Sequence, residues 1–285
     1  SGDPDFDKRH LDELLRGLNS KEFNTVIKLP ILITRSKKNT WWPPSWSYAD
    51  RKEEYGAPIT KYSIASNAST NALNNPIDNF INELKTSLVR NNLSSKYFIK
   101  PVYNDFSNDF VSTIKSVNSA PLYVLLNLIN SESHNYTAEV VFRHSLNNWS
   151  HDFPNVKYTK WLKDQNFDSD DFIFADASGL SRENRVTTYG LSQFLRRMQL
   201  SRYSDYYFSS FSILGVRGSL KNVKSPINLK GRILAKSGRL SNVRSISGII
   251  LGKDKIFSII VNNKENSTKN IINILSIVDN TNNCT

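Results

Sequence analysis

Cysteine is nearly absent from this sequence: the only one, Cys284, stands beside the C-terminus. A lone cysteine cannot close an internal disulfide, and zinc sites built from several thiolates are excluded. Its scarcity therefore does not separate cytosol from periplasm. The four histidines, His10, His134, His144 and His151, show no metal-ligand spacing, and no pair stands at i, i+4 with a glutamate between. Long apolar runs are missing too. Stretches such as Leu122–Leu126 and Ile249–Leu251 fall far short of the ~20 residues a spanning helix needs. Ser1–Phe6 has neither a basic n-region nor an apolar h-region. Either the protein is not exported, or the chain is a mature or trimmed product.

Of the 285 residues, 39% are hydrophobic and 11% aromatic, enough to bury a core and to exclude a wholly disordered chain. The length suits one large domain or two smaller ones. Basic residues outnumber acidic ones by 37 to 26, a net charge of +11. Such a charge suits nucleic acid, an anionic membrane or an acidic polymer such as a cell wall. Lysine and arginine are spread along the chain, however, with short clumps only at Arg35–Lys38 and Arg196–Arg197. No zinc finger or aromatic-basic single-strand motif accompanies them, so a soluble basic surface is favoured over a nucleic-acid footprint.

Leu11, Leu14, Leu15 and Leu18 share one face of an expected helix over 8–19. Val26–Ile33 reads as a strand, and Trp41–Tyr48, aromatic and broken by prolines, as an ordered loop. Tyr62–Ala65 suggests a strand. A boundary at 71–75 precedes a helix over Pro76–Val89, with Pro76 in its first turn. Tyr97–Val102 and Phe110–Ile114 read as strands, Pro121–Ile129 as a helix, and 136–205 as mostly helical. Gly231–Lys236, Val243–Leu251 and Lys255–Val261 are strands at hairpin spacing, turning at Gly252–Asp254. A last helix over Thr268–Ile277 carries Ile271, Ile272, Leu275 and Ile277, and the tail 279–283 is expected to fray. The layout is α+β. No internal repeat is visible.

Three motifs carry polar chemistry: Ser133-His134-Asn135 after an apolar helix, Asp176-Ala177-Ser178-Gly179-Leu180-Ser181-Arg182-Glu183-Asn184, and Lys236-Ser237-Gly238 at the end of an expected strand. Each alone has a plain structural reading. Ser133 is a helix cap, Lys-Ser-Gly a turn, and the middle motif a glycine turn before a helix capped by Ser181 or Asn184. Their order and context argue for more. A helix followed by S-x-N, then a long gap, K-[ST]-G on a strand, a hairpin and a terminal helix is the layout of penicillin-binding serine acyltransferases.

The chain resembles the D-alanyl-D-alanine carboxypeptidase/endopeptidase family, the class C low-molecular-mass penicillin-binding proteins, over nearly its whole length. Gly2-Asp3-Pro4-Asp5-Phe6 is similar to the opening of that family's second domain, and Trp46, Asp50, Tyr55–Pro58 and Asn67 follow its later pattern. Ser119–Leu122 and Ala138–Arg143 flank S-x-N as in the family. Asp176–Asn184 resembles D-G-S-G-L-S-R-x-N with Ala177 for Gly, and Leu234–Leu240 resembles A-K-T-G-S-L with Ser237 for Thr and Arg239 for a small hydroxyl residue. The family's third domain is almost deleted between Asn67 and Ser119.

The resemblance implies a β-lactamase/transpeptidase-like domain over 73–285, joined to a small inserted α/β domain over 1–72. It implies acyl transfer on peptidoglycan stem peptides, β-lactams as ligands, no metal or organic cofactor, and a periplasmic or cell-envelope location. Ser133 would pass a proton toward the leaving nitrogen in a chain with Lys236, and Asn135 would contact the substrate amide. Lys236, Ser237 and Gly238 would hold the terminal carboxylate, and the Arg239 N–H would form half of an oxyanion hole. Asp50, Tyr55 and Trp46 would grip the amine of the zwitterionic stem-peptide end and Arg182 its carboxylate; the alternative is that Trp46 and Tyr55 glue the small domain together.

The family's nucleophile belongs to an S-x-x-K motif upstream of the G-x-D-P opening, where this chain begins. The S-x-x-K that is present, Ser112–Lys115, is expected in a strand and not at a helix start, so it is rejected as nucleophile. The chain is thus expected to lack that segment and to be inactive alone. The apolar face so uncovered would be met by the missing segment or by a second copy of the chain. Other classes stay open: a non-catalytic peptidoglycan-binding homologue, a β-lactamase (opposed by Trp46–Pro58), and a basic nucleic-acid binder.

Overall fold

The computed structural model describes residues 3–16, 18, 26–27, 30–34, 37–97, 99–102, 113, 115–149, 155–262 and 267–281. In chain order its elements are α1 (Lys8–Arg16), β1 (Val26–Ile27), β2 (Leu32–Thr34), α2 (Pro76–Arg90), β3 (Ser94–Ser95), β4 (Lys100–Val102), α3 (Leu122–Asn130), α4 (Asn135–Leu146), α5 (Asn155–Asp164), β5 (Phe172–Ile173), β6 (Arg185–Val186), α6 (Thr188–Gln199), α7 (Ser204–Ser209), β7 (Ser212–Ile213), β8 (Ile233–Leu240), β9 (Val243–Ile250), β10 (Lys255–Asn262) and α8 (Ser267–Asn280). The chain divides into two compact units, 1–120 with 136–152, and 121–135 with 153–285.

In the first unit, Leu11 and Leu15 of α1 meet Ile77, Leu84 and Leu88 of α2 in a core shared with Ile33, Trp41, Tyr62, Ile64 and Leu93. α2 starts where expected because Pro76 fixes its first turn and the Asn75 side chain accepts from the Asp78 N–H. It packs in this unit, although the sequence reading set it beyond a boundary at residue 72. Parallel pairs β1–β3 and β2–β4 complete the unit. One strand was expected over Val26–Ile33, but Pro30 stands between two short pieces; it donates no ladder hydrogen bond. No strand forms at Tyr62–Ala65, because Ala65, Ser66 and Asn67 all take left-handed φ values of 50°, 56° and 55°. Asn67 anchors this bend from the core, donating to the Pro58 carbonyl and Thr60 Oγ1, both at 2.8 Å. The expected strand at Phe110–Ile114, apart from Thr113, and the motif serine Ser112 lie outside the described residues.

The second unit holds the antiparallel sheet, ordered β10-β9-β8-β7. Both faces are covered. Ile233, Ala235, Ile246, Ile250 and Phe257 meet Ile271, Ile272 and Leu275 of α8 on one side, and Ile249 meets Leu195 of α6, Phe208 of α7 and Phe211 just beyond it on the other. Double coverage explains why these strands read as near-continuous apolar runs. The tail does not fray at its start: α8 runs to Asn280, and Asp279 is buried where Arg232 meets both its oxygens at 3.0 and 3.1 Å. Ile277, counted on the apolar face, is instead 63% exposed, and Val278 packs inward.

Candidate active site

β8 is longer than its sequence suggested. It continues past Lys236-Ser237-Gly238 to Leu240, paired to β9 down to Leu240–Val243, so the motif lies inside the strand and not at its end. The two-residue turn Ser241-Asn242, with Asn242 at φ 62°, closes the hairpin. β7 pairs only with Leu234 and Ala235. The outer edge of Lys236–Leu240 therefore has no strand partner among the described residues, and its backbone polar groups face outward.

Against this edge lies the segment between α3 and α4. Past Asn130 the chain folds back, Ser131 donating to the Asn127 carbonyl and His134 to that of Leu128. Ser133 is forced to φ 60°, a conformation an L-residue other than glycine holds only at a cost of about 1–2 kcal/mol. The strained backbone leaves Ser133 exposed and aims its hydroxyl at β8: Lys236 Nζ donates to Ser133 Oγ at 2.8 Å and to the Ser237 carbonyl at 2.7 Å. Asn135, two residues on, opens α4. Burial pulls the Lys236 ammonium down to about 8 without removing its charge at neutral pH. Because its oxygen accepts from an ammonium, the Ser133 hydroxyl is free to send its own proton elsewhere.

Serines missed by sequence reasoning surround this pair. Ser219 Oγ lies 2.9 Å from Ser237 Oγ and 3.0 Å from Ser212 Oγ. Ser212 donates to the carbonyl of buried Ser131 at 2.9 Å, and the Ser219 N–H reaches the same carbonyl at 2.9 Å. The only sequence signal was the Gly218-Ser219 turn. Gly218, at φ 68°, presses on Ser131 so closely that an added Cβ would lie 2.3 Å from its Oγ. Gly238 plays a similar part within the motif, where a Cβ would meet Ser245 Oγ at 2.4 Å.

Arg239 is exposed and directly opposite Arg244, another residue not singled out from sequence. Arg182 donates to the Ser241 carbonyl at 3.2 Å, placing a further guanidinium at this hairpin's turn. Asp176 carries the loop that presents it: its carboxylate accepts from Gly179 N at 2.9 Å, Ser181 N at 2.6 Å and Asn184 Nδ2 at 2.6 Å. The cap of α6 is Thr187, not Ser181 or Asn184.

Ser133, Lys236, Ser237, Gly238, Arg239 and Arg182 thus belong to one unit. Asp50, Tyr55 and Trp46 belong to the other, where Tyr55 donates to Asp50 at 3.2 Å and Ser47 donates to the same carboxylate at 2.6 Å. Burial and the neighbouring Asp50 raise the Tyr55 phenol above its ordinary pKa. Trp46 is only 3% exposed. It packs the unit from within its core.

Among solved structures, penicillin-binding protein 4 (dacB) of Haemophilus influenzae is similar, with a TM-score of 0.81 at 16% identity over 97% of this chain and 80% of that one. Bd3459, a predatory peptidoglycan endopeptidase of Bdellovibrio bacteriovorus, gives 0.63 at 19% identity over 99% and 76%. Bd0816, a predatory endopeptidase of the same organism seen with immunity protein Bd3460, gives 0.60 at 16% over 97% and 74%. These likenesses establish the shared α+β fold. Comparison with curated proteins finds no match. A family profile matches residues 79–281, well over half of the sequence and spanning all three motifs, and on that ground the chain belongs to the D-Ala-D-Ala carboxypeptidase 3 (S13) family.

Proposed function

We propose that this chain forms the carboxylate-binding and proton-relay side of a serine-type D-Ala-D-Ala carboxypeptidase/endopeptidase acting on peptidoglycan stem peptides. The observation that carries the reading is the 2.8 Å bond from Lys236 to Ser133 beside the unpaired edge of β8. A peptide laid along that edge puts its terminal carboxylate at Lys236 and Ser237, with Arg239 and Arg182 adding positive charge. A nucleophilic serine attacks the carbonyl carbon of the scissile bond. The Arg239 N–H stabilises the oxyanion, the C–N bond breaks, and the Ser133 hydroxyl passes its proton to the departing nitrogen while its oxygen recovers, through the relay with Lys236, the proton released by the attacking serine. Water then hydrolyses the ester. Asn135 orients the substrate amide. Asp50 and Tyr55 are proposed to recognise the amine of a zwitterionic stem peptide, Trp46 supporting them from the core. The working place of such chemistry is the cell envelope.

The nucleophile is proposed to be none of the residues at this site, and Ser112 is not proposed for it. A second reading, a peptidoglycan-binding homologue without hydrolysis, is favoured by the same observation: the Lys236–Ser133 pair beside the edge of β8 suits carboxylate binding whether or not a bond is cut. Two measurements test these readings. Titration with N-acetyl-D-Ala-D-Ala should saturate, and Lys236→Met should weaken binding at least tenfold; no binding to the parent chain would refute the site. Incubation with fluorescent penicillin should leave the chain unlabelled. A stoichiometric label abolished by Ser112→Ala would overturn the rejection of Ser112.

A further inference from the structure

We propose that Ser219 is a positioning residue that sets ligand specificity by holding the hydroxyl hydrogen of Ser237 away from the carboxylate site. This deepens the proposed function and rests on it for the identity of the ligand. A serine hydroxyl has one hydrogen to donate and two lone pairs to accept with. The chain of contacts ends on a carbonyl, which only accepts. Ser212 must therefore spend its hydrogen on the Ser131 carbonyl, 2.9 Å away. Its 3.0 Å contact with Ser219 then requires Ser219 to donate. With that hydrogen committed, the 2.9 Å contact between Ser219 and Ser237 requires Ser237 to donate. The direction of every bond follows from the carbonyl at the end.

The chain is held rigidly at that end. Ser131 and Ser212 are fully buried, Ser219 N–H fixes the same carbonyl, and Gly218 has no space to move toward Ser131. Ser237 is therefore an acceptor toward the cavity in the resting site. A carboxylate offers only lone pairs, so it must draw the Ser237 hydrogen away from Ser219 before it gains that bond. A terminal carboxamide can instead donate its N–H to the waiting lone pair. Lys236 and the arginines supply the attraction that favours the carboxylate, and Ser219 subtracts from it.

The experiment compares N-acetyl-D-Ala-D-Ala with its C-terminal amide on the parent chain, Ser219→Ala and Ser219→Thr. Ser219 is exposed, so both variants keep the core intact. Ser219→Ala should raise the acid-to-amide affinity ratio about three- to tenfold, the worth of one competing hydrogen bond. Ser219→Thr, which keeps the hydroxyl, should leave the ratio unchanged. General loosening of the site would lower both affinities together and leave the ratio fixed, which overturns the proposal. Neutron diffraction of the deuterated, ligand-free chain provides a readout independent of the ligand. Deuterium on Ser237 Oγ pointing at Ser219 is expected; any other direction refutes the resting arrangement. If the deuterium lies as expected while neither peptide binds, the specificity role is overturned with the proposed function, and the hydroxyl chain stands.

Discussion

Replacing Lys236 by methionine should stabilise this protein at neutral pH, and the gain should shrink as pH rises. Burial depresses the folded-state pKa of Lys236 from 10.5 to about 8. The unfolded chain therefore binds more protons than the folded one between about pH 8 and 10.5, and unfolding free energy rises with pH across that window. Below pH 8 both states carry the charge, and the penalty is fully felt. The fall from 10.5 to about 8, at about 1.4 kcal/mol per tenfold change in proton affinity, bounds it at about 3.5 kcal/mol. Methionine keeps the length of the stem and removes the charge, but it forfeits the bonds to Ser133 and the Ser237 carbonyl. Those are worth about 1–2 kcal/mol together. The net expectation is a gain of about 1.5–2.5 kcal/mol at pH 7, changing to a loss of about 1 kcal/mol by about pH 10.5. Urea unfolding of both proteins at half-unit pH intervals gives the difference curve, in which other titrating groups cancel. A pH-independent difference, or one of opposite slope, would refute the burial argument.

Three further outcomes follow from the same geometry. Asp279→Asn should cost about 2 kcal/mol by thermal or urea unfolding, because it removes the charge partner of Arg232 and Lys253; the native carboxylate, its pKa lowered chiefly by Arg232, loses this contribution as pH falls through its folded pKa. Gly218→Ala should abolish N-acetyl-D-Ala-D-Ala binding and cost at least about 2 kcal/mol, since its Cβ at φ 68° would collide with Ser131 and Ser212; retention of both properties would refute the tight approach. Asn75→Ala should cost about 1 kcal/mol by removing the α2 cap, and Asn75→Asp should restore it.

Helices with a clean apolar face and a capping signal were legible. α2 ends one residue beyond its expected limit because Pro76, Ile77, Leu84 and Leu88 obey one period and Asn75 supplies the cap. The central strands were legible as well, since β9 packs on both faces and reads as an apolar run. Where interpretation failed, local preference gave way to partners distant in sequence. The strand was expected to end at Lys236, yet β8 continues through Arg239 and Leu240, which lie opposite Arg244 and Val243 in register. Tyr62–Ala65 has strand-forming residues at its start, but Ala65–Asn67 take left-handed φ values and buried Asn67 donates to the Pro58 carbonyl and Thr60 Oγ1. Asp279 looked like a polar tail until Arg232, 47 positions earlier, supplied its counter-charge.

The site divides along the same line. Ser133, Lys236 and Ser237 could be singled out because each sits in a short motif that resembles the family's pattern, and the structure brings the three together. Ser131, Ser212 and Ser219 could not, since serine is an ordinary residue of turns and strand ends and nothing near any of them in sequence demands a hydroxyl. Their value arises only when the 131–134 segment, β7 and the 217–220 loop meet at one carbonyl. Hydrogen-bond direction is then set by elimination from that carbonyl outward, through three hydroxyls, to the residue that faces the ligand. A motif can state which groups touch a substrate. Which way their hydrogens point depends on buried partners that the motif does not contain, and under the proposed specificity role that choice sets whether Ser237 would meet a carboxylate as donor or acceptor.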